Sequence, residues 1–291
     1  MSAPPVTIPD SEVHPVHARA VDDDFELWVA NPQQGFVPAQ GRPRVLYVLD
    51  ANLVFGTVVE MTRLMHKLYG ELPPLLVVGI AYPTRDGFRQ GLIRTRDFTP
   101  SADAGFGAMS ASLPRPETVE PVEPPMGGAD AFLRFVEEQV VPFVRERFDV
   151  DEEGSTLFGS SMGGLLAVHA LLRTPHLFDN ILAVSPALWW NEGATLRAEP
   201  AAHDQILRPR AYLAAGGLEE AAHVPMLARF RLISNARAMA RRLVDLGWAT
   251  ERATFEEIPG ETHTSVIPAA LTRGLRVLHT PGPSAPESRE T

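Results

Sequence analysis

No cysteine occurs among the 291 residues, and that absence removes disulfides, zinc–thiolate sites, iron–sulfur clusters and a thiol nucleophile together. It leaves the redox compartment open, because a chain without thiols is indifferent to it. Basic residues are in the minority: 26 Lys and Arg stand against 36 Asp and Glu, a formal net charge of −10. Such a surface has no footprint for a phosphate backbone or an anionic bilayer, so neither nucleic acid nor membrane is expected as a partner. Long apolar runs are lacking too. Leu75 to Tyr82, one of the longest, falls far short of the roughly 20 residues that span a bilayer. Met1 to Asp10 are polar and proline-containing, with no basic region leading into an apolar one. A soluble cytoplasmic protein is therefore the expectation.

Apolar residues make up 45% of the chain, and at this length a folded chain buries about three quarters of its unfolded surface without a staple. From about residue 24 onward, short apolar runs alternate with helical patterns, as in an α/β fold with a mostly parallel central sheet and helices on both faces. Asp24 to Val29 alternates like a half-exposed edge strand. Val45 to Leu49, Leu75 to Tyr82, Thr156 to Phe158, Ile181 to Val184 and Ala211 to Ala215 are continuous, as strands buried on both faces are; Ala253 to Ile258 is a weaker last strand. Helices are predicted over Val58 to Leu68, from an Asp130 cap with a kink or break at Pro142, and over Met162 to Leu172, Asn235 to Leu246 and Ile267 to Leu278. One domain over 21–279 is expected, preceded by an extension at 1–20 and followed by a disordered tail at 280–291. Residues 83–128 contain no convincing strand and read as a lid or binding loop; for 111–125 a disordered insertion is the alternative.

Gly159-Ser160-Ser161-Met162-Gly163 is a G-x-S-x-G pattern between a predicted strand and a predicted helix, the context of a nucleophile elbow with Ser161 at its centre. A serine hydroxyl needs a base, and in this fold the base follows the nucleophile and an acid in the chain. Nine histidines are present. His14, His17 and His66 precede Ser161, His169 and His176 lie in or beside the following helix, His203 and His223 fall in polar connections, and His279 is near the tail. His263 alone sits between the last strand and the last helix. The acid belongs after the strand ending at Ala215, where Glu219 and Glu220 are both placed and spacing does not separate them. An oxyanion needs the N–H of Met162 and a second N–H after the early strand, from Ala51 or Asn52.

With these residues in place the chain resembles the putative esterase family of α/β-hydrolases, which groups esterase D-like enzymes with siderophore trilactone esterases of the enterochelin and bacillibactin kind. The resemblance covers roughly residues 20 to 280. It rests on Val48-Leu49-Asp50-Ala51-Asn52, Arg94 to Pro100, the elbow, Ser185-Pro186-Ala187-Leu188-Trp189-Trp190, Gly217-Leu218-Glu219 and Gly260-Glu261-Thr262-His263. It implies a Ser161 nucleophile, a His263 base, Glu219 at the acid position and hydrolysis of a small-molecule ester without a cofactor or metal. It also implies Met162 and Ala51 as oxyanion donors, although family members usually carry glycine where this chain has Ala51. The trilactone esterases it resembles handle a polyanionic catecholate, which makes Arg94 and Arg96 candidate substrate contacts, with pairing of one of them to Asp97 as the alternative. Trp189 and Trp190 offer an aromatic wall, with core packing as the alternative for at least one. Two further readings stay open on sequence: acyl transfer or thioester cleavage by the same residues, and a hydrolase-fold binding protein without catalysis.

Overall fold

A computed structural model of the chain describes residues 6–33, 35–36, 41–112, 123–201 and 209–279. The expected tail at 280–291, His203, and residues 113–122 of the 83–128 segment lie outside them. Eight strands make one sheet: β1 (Ser11–Ala18), β2 (Asp23–Ala30), β3 (Arg44–Val48), β4 (Leu75–Ala81), β5 (Thr156–Ser160), β6 (Asn180–Val184), β7 (Arg210–Gly216) and β8 (Ala253–Ile258). Their order is β1-β2-β4-β3-β5-β6-β7-β8. The pairs β1/β2 and β2/β4 are antiparallel; the remaining pairs are parallel.

Ten α-helices are described: α1 (Ala51–Tyr69), α2 (Gly87–Phe98), α3 (Ala104–Ser112), α4 (Ala129–Phe135), α5 (Val141–Arg147), α6 (Met162–Arg173), α7 (Trp190–Arg197), α8 (Pro225–Ala228), α9 (Leu232–Asp245) and α10 (Val266–His279). Alternate strand residues face opposite ways, and two cores result. Tyr47, Leu157, Ile181 and Leu213 pack with α4, α5, α6 and α9 on one face. Val48, Phe158, Leu182 and Ala214 pack with α1 and α10 on the other. A mostly parallel sheet covered on both faces is as the periodicities imply, and it agrees with the α/β-hydrolase fold that the resemblance implies. None of the described helices is long and apolar enough to cross a membrane.

Three expectations are corrected. The edge strand is β1, not the Asp24 to Val29 run, so the sheet begins inside the segment read as an N-terminal extension. Its alternation is masked because apolar Val13 faces outward while polar His14 faces inward against Phe143, and because it carries Pro15, a residue that sheets tolerate at an edge. The 83–128 segment has no strand but does contain α2 and α3. Asp86 caps α2 by accepting from the N–H groups of Phe88 and Arg89. Asp130 does not cap its helix: Gly128 holds that place, and the Asp130 carboxylate instead accepts from His169 Nε2 at 2.7 Å. At Pro142, where a kink or break is expected, the helix continues through a π turn at Val136–Val140, just before the proline that supplies no N–H.

Candidate active site

The residues singled out for catalysis all follow the carboxyl ends of parallel strands: Ala51 after β3, Ser161 after β5, Glu219 after β7 and His263 after β8. The chain runs from β3 to β4 on one side and later returns to β5 on the other. In open α/β sheets a crevice forms at such a switch of direction. Ser161 and the turn before α1 are its two walls.

Ser161 holds φ 57° and ψ −115°, outside the comfortable regions for an L residue. Three backbone hydrogen bonds fix it there. Its N–H donates to Val184 O, and its carbonyl accepts from Leu165 and Ala187, all at 2.9 Å. The flanking glycines are sterically required: a Cβ on Gly159 would collide with the Gly163 carbonyl, and one on Gly164 would lie 2.9 Å from Pro186 Cα. Met162 and Ala51 are each the first residue of a helix, so their N–H groups have no acceptor within it. Both N–H groups stand at helix N-termini, where developing negative charge is favoured.

A cavity of about 230 Å³ is lined by Ser161, His263, Asp50, Arg94, Leu53 and Ile267 among others; Ala51 and Met162 adjoin lining residues in the chain but do not line it themselves. Among the described residues the Ser161 hydroxyl makes no hydrogen bond, to His263 or to any other group; contacts between a nucleophile and its base can tighten on substrate binding. Behind the imidazole, Glu219 is wholly buried. Its Oε1 accepts from His263 Nδ1 at 3.1 Å and from the Ser185 hydroxyl at 2.6 Å. Glu220, one residue on, turns away and accepts from the backbone N–H and the hydroxyl of Ser234, both at 2.7 Å, in the first turn of α9. The geometry thus separates two glutamates that spacing does not.

Two residues to which the sequence gives no role are placed at the site. Asp50, in the left-handed region at φ 53°, directly precedes Ala51. Its carboxylate takes a two-pronged hydrogen bond from Arg94, Nε at 2.7 Å and Nη2 at 2.8 Å. Ser185, also left-handed at φ 45° and fully buried, is the second donor to Glu219. Each is the residue at which a buried strand gives way to a polar turn, a signal that marks a position without saying what it touches.

The substrate-binding set needs revision. Arg94 lines the cavity, but its charge is committed to Asp50: burial alone would lower its pKa, and the Asp50 charge and hydrogen bonds hold it raised. Arg96 does not line the cavity. It bonds Asp97 at 2.7 Å and Asp23 at 2.9 Å, because Asp97 is wholly buried and requires a cation. Trp190 is 1% exposed, with its indole N–H donating to Ser101 O, and belongs to the core. Trp189 is half-buried and stacks on Phe230 at 4.2 Å, away from the Ser161 cavity.

A doubly covered, mostly parallel sheet with this strand order is the α/β-hydrolase fold, and the family and relatives that follow make the chain a carboxylic ester hydrolase of that fold. The chain belongs to the family described as "Putative esterase", whose model matches residues 18–265. It is 36% identical over 288 residues to the ferri-bacillibactin esterase BesA of Bacillus subtilis, covering 95% of this chain and 92% of that protein. It is 32% identical over 254 residues to the siderophore triacetylfusarinine C esterase of Aspergillus fumigatus, covering 79% and 80%. Among solved structures, the siderophore hydrolase EstA from Aspergillus nidulans superposes with a TM-score of 0.75 at 26% identity, covering 96% of this chain and 98% of that one.

Proposed function

We propose that this protein hydrolyses the ester bonds of a siderophore lactone through an acyl-enzyme on Ser161. The observation that carries the catalytic part is His263, which faces the Ser161 cavity while its Nδ1 is bonded to the buried Glu219. The substrate class is supported by the two siderophore esterases to which most of the chain is similar.

In this reading Glu219 holds the imidazole with its proton on Nδ1, leaving Nε2 as the base. Nε2 takes the Ser161 proton as Oγ attacks the ester carbonyl, and the N–H groups of Met162 and Ala51 receive the oxyanion. The C–O bond to the alkoxide leaving group breaks, with the proton returned from Nε2. Water, deprotonated by the same nitrogen, then attacks the acyl-enzyme and releases the acid and Ser161. Asp50, fixed by Arg94, holds the turn that presents the Ala51 N–H.

Incubation with ferric and iron-free tricatecholate trilactones beside simple aryl esters tests the substrate. The expected result is a kcat/KM for one of the trilactones orders of magnitude above that for the aryl esters. The reverse ranking would leave an ester hydrolase of another substrate class.

A further inference from the structure

The catalytic cavity, at about 230 Å³, falls below the roughly 300 to 1,000 Å³ typical of small-molecule sites. It does not end there. Asp50, Leu53 and Arg94 also line a neck of about 110 Å³, and Asn52, Tyr82 and Gln90 line both that neck and an outer chamber of about 640 Å³. Each space thus shares lining residues with the next, in order from Ser161, past the first turn of α1, to Glu26 and Trp28 of β2.

The neck is open because of glycine. Gly87 and Gly91, four apart on one face of α2, both line it. Glycine weakens a helix relative to alanine, so two in one short helix call for a reason. Packing is not that reason, since a Cβ built on either residue meets no atom within 4 Å. Gly91, inside the helix and half-buried, leaves open space that a side chain there would take from the neck, whereas Gly87 is exposed at the helix start. Opposite the glycines, Asn52 clamps the neck's floor: its amide donates to Tyr82 O at 3.0 Å and its carbonyl accepts from Tyr82 N–H at 2.8 Å.

The outer chamber has distinct chemistry. The half-buried Trp28 indole forms an apolar wall, its N–H taken by Glu26 at 2.8 Å. Arg85 stands exposed at the rim and pairs with no carboxylate among the described residues. A flat ring against Trp28 with an anionic oxygen toward Arg85 suits both.

We infer that the neck and outer chamber form a second subsite, which takes a planar, anionic arm of a multi-armed ester while another ester bond of the same molecule lies at Ser161. This deepens the proposed function and rests on it for the identity of the whole substrate. The subsite itself is tested separately by a single arm without an ester.

The test measures kcat/KM for p-nitrophenyl acetate and for a trilactone of N-(2-hydroxybenzoyl)serine, in the wild-type protein and in Gly91→Leu, Arg85→Glu and Trp28→Ala. Gly91→Leu is expected to lower the trilactone-to-acetate ratio by about tenfold or more, the scale of a misfit in a shaped pocket. Arg85→Glu and Trp28→Ala should lower the same ratio. A ratio within twofold of wild type in Gly91→Leu would overturn the inference. Gly91→Ala controls for the fold and should raise the thermal midpoint by about 2 to 4 °C. If the wild-type protein leaves the trilactone intact, the proposed substrate class fails. The chamber is then judged by direct binding of N-(2-hydroxybenzoyl)serine, followed by titration calorimetry. A dissociation constant raised severalfold in Arg85→Glu and Trp28→Ala supports the subsite, and an unchanged one removes it.

Discussion

Glu219 and Glu220 are adjacent and chemically alike, yet the turn after β7 sends one to His263 and the other to Ser234. Glu219→Gln keeps the shape but offers the imidazole an ambiguous partner, so kcat is expected to fall by about 10³- to 10⁴-fold, the scale seen when a triad acid is removed. Glu220→Gln should leave the kinetics near wild type and cost about 1 kcal/mol in urea unfolding, from the weakened bonds at the start of α9. Equal kinetic losses in both variants would contradict these assignments. At this scale much of the site was legible. Ser161 and His263 follow from a strand-to-helix glycine pattern and from chain order. Asp50 and Ser185 did not emerge, because a role that consists of holding another side chain depends on contacts between residues 44 and 34 positions apart. The arginines failed for the same reason. Their charge is visible in sequence, whereas the carboxylates that neutralise it are visible only in space.

Among elements, the continuous apolar runs gave the interior strands almost residue for residue, because strands buried on both faces need no alternation to be recognised. The elements missed were those with diluted patterns. In α2, Gly87, Gly91 and three arginines interrupt the apolar face, and only the Asp86 cap announces a helix. What anchors the end of α2 is ionic. Asp97 is wholly buried, and burial raises its pKa while Arg96 opposes the rise. Arg96→Met removes that cation and leaves a buried acid unpaired, so a loss of about 3 kcal/mol or more is expected in chemical denaturation. A loss below about 1 kcal/mol would mean that Arg96 behaves as a surface residue.

Over the whole molecule, two cores on opposite faces of one sheet close the chain into a single frame, and its last helix is tied back by a histidine. His279, at the end of α10, lies beside Thr156 Oγ at 3.1 Å and Arg44 at 3.4 Å. Burial, followed by the charges of Arg44 and Arg210, lowers its pKa from 6.5 to about 4. The folded protein therefore refuses a proton that the unfolded chain accepts. The resulting stability is fully present above pH 6.5 and is lost as pH falls toward 4, by about 3 kcal/mol in all. His279→Gln should be less stable at pH 7 and should lose less between pH 7 and 4.5 than wild type, read from urea midpoints; parallel losses would contradict the assignment. Nothing in the sequence marks this histidine, which stands close to a proline-rich end.

The central claim, that Ser161 carries the acyl group, is tested most directly by treating the protein with a fluorophosphonate and locating the adduct by peptide mass spectrometry. One adduct on Ser161 is predicted, absent in Ser161→Ala, together with a fall in ester turnover of about 10⁴- to 10⁶-fold in that variant. An adduct on another residue, or ester hydrolysis undiminished in clean Ser161→Ala protein, would contradict it.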